Sequence, residues 1–269
     1  MGTTAGLSLG NSVLTLSGIF FVLLAVAAAL LAARYLRDET AEKSAWIASN
    51  YMGALGTLFA ILTAFMINTE YSSYRQAQIT VGEEVSAASE LATATASLPA
   101  SDTDRIQERL TDYLDALAEG EWQALGDNRP SDSPAAGALR ALQQEVYSEA
   151  SRDYVPDAVA GTLQDAVNRM ATARRERVVI ASHDMPIVLF GLAVIAGVGL
   201  IINAMVVANR SGRRYAFLAS IIVLVVALDV GAIVIINAPF QGGLQVSTDP
   251  ITALSLEIKS GQYTTWVSR

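Results

Sequence analysis

WIASNYMGALGTLFAILTAFMIN, residues 46–68, runs 23 positions without an Asp, Glu, Lys or Arg. A helix rises about 1.5 Å per residue, so roughly 20 apolar residues cross a hydrocarbon core about 30 Å thick. Three more stretches of the same kind occur at about 13–36, 186–208 and 215–237. In lipid the backbone must satisfy its own hydrogen bonds, so each stretch is expected to be a helix. Trp46, Tyr51, Tyr215 and Tyr35 stand near run ends, where amphipathic rings favour the interface. No Lys or Arg precedes Arg34. The first stretch therefore lacks the charged start of a cleavable signal and reads as a retained anchor.

The expected fold class is an all-α membrane protein with four transmembrane helices in two hairpins and an extramembrane helical bundle between helices 2 and 3. Hairpin 1 takes residues 1–68, the bundle 69–184, hairpin 2 185–237, and a tail with a short helix 238–269. The second transmembrane helix meets no breaker at its end and is expected to continue to Leu98, where Pro99 stops it. Ser101 and Asp104 have the spacing of a capping box. Ile106, Leu110, Tyr113, Leu114, Leu117 and Leu125 then keep helical spacing, as do Leu139, Leu142 and Val146. Pro156 opens a last helix through Val159, Leu163, Val167 and Met170 to Arg174-Arg175-Glu176-Arg177.

Composition narrows the function. The chain is 52% hydrophobic, yet its formal charge is −8, and its mean hydropathy is +0.38. Most of the acid lies between Thr69 and Asp184, which argues against a nucleic-acid partner. There is no cysteine and one histidine, so thiolate chemistry and multi-histidine metal sites within one chain are excluded. No catalytic residue set, metal site or cofactor site has diagnostic spacing, and an enzyme is not expected. Glu83, Glu84 and Glu90 read as a solvated face. Arg174, Arg175 and Arg177 read as contacts for lipid headgroups. His183 and Asp184 read as a cap at the membrane boundary.

Asp229 is the sharpest residue. It lies about 5 Å from the bilayer centre if 215–237 spans. A carboxyl there costs about 2.5–3.5 kcal/mol on insertion scales, so it faces the bundle interior or water. It belongs either to an ion pathway or gate, or to a neutral carboxyl bonded to a neighbouring helix. Thr57 is the polar residue nearest its depth in the second span. Thr63 and Asn203 are further pore or gate candidates, with helix-to-helix bonding as the alternative. Gly53, Gly56, Gly191, Gly197 and Gly199 suit close helix approach.

Several stretches occur in a familiar order: YMGALGTLFAILTAF leading into EYSSYRQAQITVGEEVSAASEL, Leu98-Pro99, Glu121-Trp122, RRERVVIASHDMP and NAPFQGGLQVS. Together they resemble the bacterial bestrophin-like family, a domain of unknown function distantly related to bestrophin anion channels. The resemblance implies a pentameric assembly with a helical soluble domain and a central pore. Asn237, Pro239, Phe240 and Gly242 resemble the turn after the last bestrophin span, with Ala238 inserted. Gln241-Gly242-Gly243-Leu244 replaces the acidic run that forms a calcium clasp in calcium-gated members. The second span, with Leu58, Phe59, Ile61 and Leu62, lacks an aromatic neck triplet. The resemblance thus implies architecture more than conductance.

Residues and resemblance together lead to one expectation. The protein is a multi-pass protein of the cell membrane whose partners are the lipid bilayer and copies of itself. It forms a homo-oligomer that conducts an unspecified ion, with the second span lining the pore. The alternative is a non-conducting sensor or scaffold whose helical domain binds a partner protein or lipid. Two expectations of sidedness oppose each other. Arg34, Arg37, Lys43, Arg210, Arg213 and Arg214 place the short loops in the cytoplasm, whereas bestrophins have the helical domain there.

Overall fold

The computed structural model describes residues 41–265 except 128, 183, 184, 212, 238 and 241–243. The expected first span, His183, Asp184, Ala238 and Gly242 lie outside these residues. The described residues form helices and connecting turns. In chain order these are α1 (Ala41–Thr95), α2 (Ala100–Ala116), a π-helical turn (Leu117–Glu121) and α3 (Trp122–Gly126). A 3₁₀ turn (Pro130–Asp132) leads into α4 (Ala135–Ala150) and α5 (Asp157–Ala181). The series ends with α6 (Ile187–Ser211), α7 (Arg213–Ile236) and α8 (Asp249–Lys259). Three segments are long and apolar enough to cross a membrane: one within Trp46–Thr95, Ile187–Ala208 and Phe217–Ile236.

The chain divides into two compact units, Met1–Ser72 with Asp184–Asn237, and Ser73–His183 with Ala238–Arg269. In the first, Phe59 of α1 packs with Ala196, Leu200 and Ile201 of α6 and Val226 of α7. Met66, Ala193 and Ile233 form a second layer. Gly197 permits the closest approach. A Cβ added there would lie 3.0 Å from both the Phe59 ring and Val226 Cγ1, so alanine would require these side chains to give by a few tenths of an ångström. Gly53 and Gly191 meet no described atom within 4 Å.

The second unit surrounds a core of Leu91, Ile106, Leu110, Tyr113, Leu142 and Leu163, to which Phe240, Val246, Ile251 and Leu254 belong. Residues 238–269, read from sequence as a tail, thus supply part of this core. The reason is amphipathicity: Ile251, Leu254 and Ile258 recur at helical spacing and need an apolar partner. The start of α2 differs from the expected capping box. Pro99 is the N-cap, no side chain caps the helix, and Ser101 already lies inside it. Proline presets the φ of a helix start, so the helix begins one turn before Asp104. Thr103 Oγ1 instead donates to the Thr95 carbonyl at 2.6 Å and closes the α1–α2 corner.

Polar ties hold α8 down. Asp115 accepts from Ser255 at 2.7 Å and from Lys259 at 2.6 Å. Burial pushes the Asp115 carboxyl up, but the Lys259 and Ser255 hydrogen bonds and the Lys259 charge outweigh it and leave the carboxyl below its ordinary value. A carboxylate lowered on folding contributes stability above its unfolded pKa, and that stability is lost as pH falls through the folded value. Hydrogen exchange in 249–259 is therefore expected to rise as pH drops below the ordinary carboxylate range. Asp115→Asn should remove that dependence; an unchanged pH profile in the variant would show that Asp115 does not hold the helix.

Candidate functional site

Two polar arrangements stand out, one in each unit. In the first unit, α1 has a packed side and an open side. Phe59, Thr63 and Met66 are buried, while Asn50, Ala54, Thr57, Ile61, Ala64 and Asn68 are exposed. At 3.6 residues per turn the exposed set forms one line along the helix. Most of its members are polar or small, and Ile61, the large one, is 63% exposed. Tyr51, Leu58 and Phe65 form an adjacent flank of large apolar side chains, also exposed.

The four pore candidates fall at different places. Thr57 sits on the exposed line, and its hydroxyl donates to the Gly53 carbonyl at 2.9 Å. Thr63 is on the buried side and donates to the Phe59 carbonyl at 2.9 Å. Such bonds to the preceding turn satisfy a hydroxyl within its own helix. Asn203 on α6 is only 7% exposed, and its Oδ1 has no hydrogen-bond partner among the described residues. Asp229 on α7 is half-buried. No hydrogen bond joins any two of the four among the described residues. Of the turn residues, Asn237 continues α7 through a bond to the Ile233 carbonyl. Pro239 and Phe240 are buried in the second unit.

The second arrangement corrects two sequence readings. Glu84, expected on a solvated face, and Arg177, expected to meet headgroups, are both fully buried and pair with each other. Glu84 also accepts from the Tyr113 hydroxyl. Glu121 accepts from Ser133 and pairs with Arg174 at 3.1 Å and with Arg177 at 3.5 Å. Two carboxylates thus meet two guanidiniums, which is how buried charge becomes tolerable. Burial pushes the Arg177 guanidinium down to about 9, which still leaves it charged at neutral pH. Burial likewise pushes the Tyr113 phenol up.

The π turn carries Glu121 into this cluster. An i→i+5 turn inserts one residue into the helical register, and such turns recur at functional positions. Gly120 is needed beside it, because a Cβ there would lie 2.9 Å from the Pro134 ring. Trp122 roofs the cluster. Its ring lies 5.3 Å from the Arg177 guanidinium carbon, its Nε1 donates to the Val246 carbonyl at 2.8 Å, and Phe240 meets it edge-on at 5.8 Å. The Glu-Trp pair and the Pro-Phe of the turn, far apart in sequence, therefore share one site. Reading Glu83, Glu84 and Glu90 as one solvated face hides the cluster, because Glu84 lies on an otherwise apolar face. The usable signal was its register: Glu84 is flanked by Val81, Ala87, Ala88 and Leu91, all buried.

Two open grooves run between α1 and α5. One of about 320 Å³ is lined by Glu90, Thr93, Ser97, Val159 and Thr162. The other, about 310 Å³, is lined by Gln76, Thr172, Arg175, Val179 and Ile180. Arg169 pairs with Glu90 and Asp165.

Known structures share this architecture. A bacterial bestrophin homologue from Klebsiella pneumoniae, in a tyrosine-to-alanine variant, matches with a TM-score of 0.71 at 13% identity, over 90% of this chain and 97% of its own. A tryptophan-to-alanine variant matches at 0.69 and 16%, over 90% and 94%. A crystal structure described as that of a membrane protein, in a glycine-to-alanine variant, matches at 0.72 and 14%, over 92% and 99%. At these identities the likeness is one of fold. No curated protein matches the sequence. The bestrophin-like domain model matches residues 19–251, most of the chain, and the protein belongs to the bestrophin-like family.

Proposed function

We propose that this protein crosses the cell membrane four times, as two hairpins, and assembles with copies of itself into a channel-like oligomer that conducts ions along α1. The observation that carries the reading is the exposed line of Asn50, Thr57, Ile61, Ala64 and Asn68 on a helix whose opposite side is packed. Amide and hydroxyl groups gain nothing from hydrocarbon, whereas an axis shared by several copies offers water on one side and helix contact on the other. The neighbouring flank of Tyr51, Leu58 and Phe65 suits lipid or the next copy. Thr57 is the best constriction candidate. Thr63 and Asn203 support packing, and Asp229 supplies the ionisable group within a span. An enzyme is not proposed: Glu84 and Glu121 are held by Arg177 and Arg174 rather than set in a pocket.

Protein reconstituted into planar bilayers is expected to pass current. Thr57→Trp should cut unitary conductance about tenfold or more by narrowing the lumen, while Leu58→Trp, on the large apolar flank, should leave it near the unmodified value. Asp229→Asn should change selectivity or pH dependence. Silence across varied pH, voltage and calcium would end this reading.

The two grooves favour a second reading, a sensor or scaffold whose helical unit seats a partner protein or lipid. That reading expects a dry assembly and loss of partner capture on Val179→Glu, with no current from any variant.

A further inference from the structure

Asp102 on α2, Glu149 on α4 and Tyr154 in the turn before α5 meet at one corner of the helical unit. The Tyr154 hydroxyl lies 2.8 Å from Asp102 Oδ2 and bonds to Glu149 Oε1. A phenol carries one proton, so it satisfies one of these oxygens and not both. Glu149 is held as the acceptor, because its Oε2 faces Arg105 at 3.0 Å and Arg152 at 3.1 Å. The other contact sets two oxygens together with no hydrogen to share, unless Asp102 Oδ2 brings a proton of its own. Asp102 Oδ1 accepts from Arg105 at 2.9 Å and from Ser101 at 3.4 Å, as the carbonyl oxygen of a neutral acid also does. The charges count the same way. Glu145 lies 3.3 Å from Arg105 Nε, so three carboxyls face two guanidiniums and balance them only when one is neutral. Asp102 is 8% exposed and Glu149 1%, where an unbalanced charge is poorly solvated. Asp153 and Asp157 nearby are exposed, and among the described residues no other charged side chain pairs with Asp102 or Glu149. Partial burial, then the bonds to Glu149 and Asp102, push the Tyr154 phenol up, so it keeps its own proton and the extra one comes from water.

We propose that this corner is a proton-operated latch, in which uptake of one proton by Asp102 fastens the turn at 151–156 to α2 through Tyr154. The proton forms an Asp102 O–H bond that donates to the Tyr154 oxygen, while Tyr154 goes on donating to Glu149. The fastened state binds one proton more than the open one and is favoured as pH falls, by at most about tenfold per pH unit. The first turn of α2 favours an ionised Asp102, which makes the fastening conditional on pH instead of permanent. The turn leads into Ala158, Val159 and Thr162, one wall of the groove whose other wall is Glu90, Thr93 and Ser97, so fastening steadies that wall. The latch stands whether or not the protein conducts.

The test is hydrogen exchange of the detergent-solubilised full-length protein, corrected for the intrinsic pH dependence of exchange. The Arg152 and Val155 amides donate to the Glu149 carbonyl at 3.1 Å and the Arg152 carbonyl at 3.0 Å. Their protection is expected to rise from neutral to mildly acidic pH, by up to about tenfold per unit. Residues 249–259, expected to loosen in acid, are the internal control against a general tightening. Asp102→Asn puts an amide N–H where the neutral acid carries its proton, and should hold the acid level of protection at both pH values. Tyr154→Phe should stay at the neutral-pH level throughout. Wild-type protection that is flat or falls on acidification overturns the latch, even where a variant fails to fold. An Asp102→Asn protein that keeps the wild-type pH dependence overturns it too. The proton has its own readout in infrared spectra. A neutral-carboxyl band that grows on acidification and is missing in Asp102→Asn supports the assignment, and identical acid-induced spectra in the two proteins remove Asp102 as the group that takes it up.

Discussion

Arg177→Met should unfold the helical unit at much lower temperature, with a cost of about 3–5 kcal/mol. The reason is the company the guanidinium keeps. It is fully buried with Glu84 and within 3.5 Å of Glu121, so its removal strands the Glu84 carboxylate where water cannot reach. A surface arginine would cost a small fraction of this. The cluster makes a second, opposite expectation. Joint replacement of Glu84 by Leu and Arg177 by Met removes both charges, leaves Glu121 with Arg174, and should recover most of the loss. Buried ion pairs commonly break even with apolar residues of like volume, whereas half of a pair does not. Thermal unfolding of the detergent-solubilised protein measures all three variants. If the single and the double variant melt alike, the pair is not what makes Arg177 costly to lose.

Trp122→Ala is the second large effect, about 3–5 kcal/mol for emptying a buried aromatic site. Trp122 is only 7% exposed and holds three partners at once: the Arg177 guanidinium, the Phe240 ring and the Val246 carbonyl. Its loss should therefore free Phe240 and Val246 from the core before the helices themselves melt. Hydrogen exchange would show this as faster exchange at Val246, whose amide donates to the Pro239 carbonyl at 2.8 Å. Trp122→Phe keeps a ring over Arg177 and loses mainly the indole bond, a cost of about 1–2 kcal/mol. Equal loss in the two variants would mean that the hydrogen bond, rather than ring packing, seats the segment.

Much of the architecture could be read before any coordinates. The continuation of 46–68 into a long helix follows from the absence of a breaker before Pro99, and α1 runs as one helix from Ala41 to Thr95. Pro156 stands at the N-cap of α5, because proline fits a helix start and nothing within 157–181 interrupts it. The family, too, was legible from short ordered stretches. The polar cluster was not. Sequence assigns Glu84 and Arg177 to helices, yet a charged residue on a helix is ordinarily solvated. Only the meeting of α1, the π turn and α5 turns those faces inward. The Ser101–Asp104 capping box failed for a related reason: motif spacing is local, and a proline two residues upstream had already started the helix.

The sequence by itself determined the helices and the apolar lengths that suit a bilayer. These follow from the rise, the period and the solvation of one segment taken alone. Tertiary structure decided which charges are buried, that Phe240, Val246, Ile251, Leu254 and Ile258 complete the helical core, and that Glu121 reaches Arg174 and Arg177 through a π turn. Those outcomes depend on partners 50 to 160 residues distant, whose shapes fix where an ion pair costs less than exposed apolar surface.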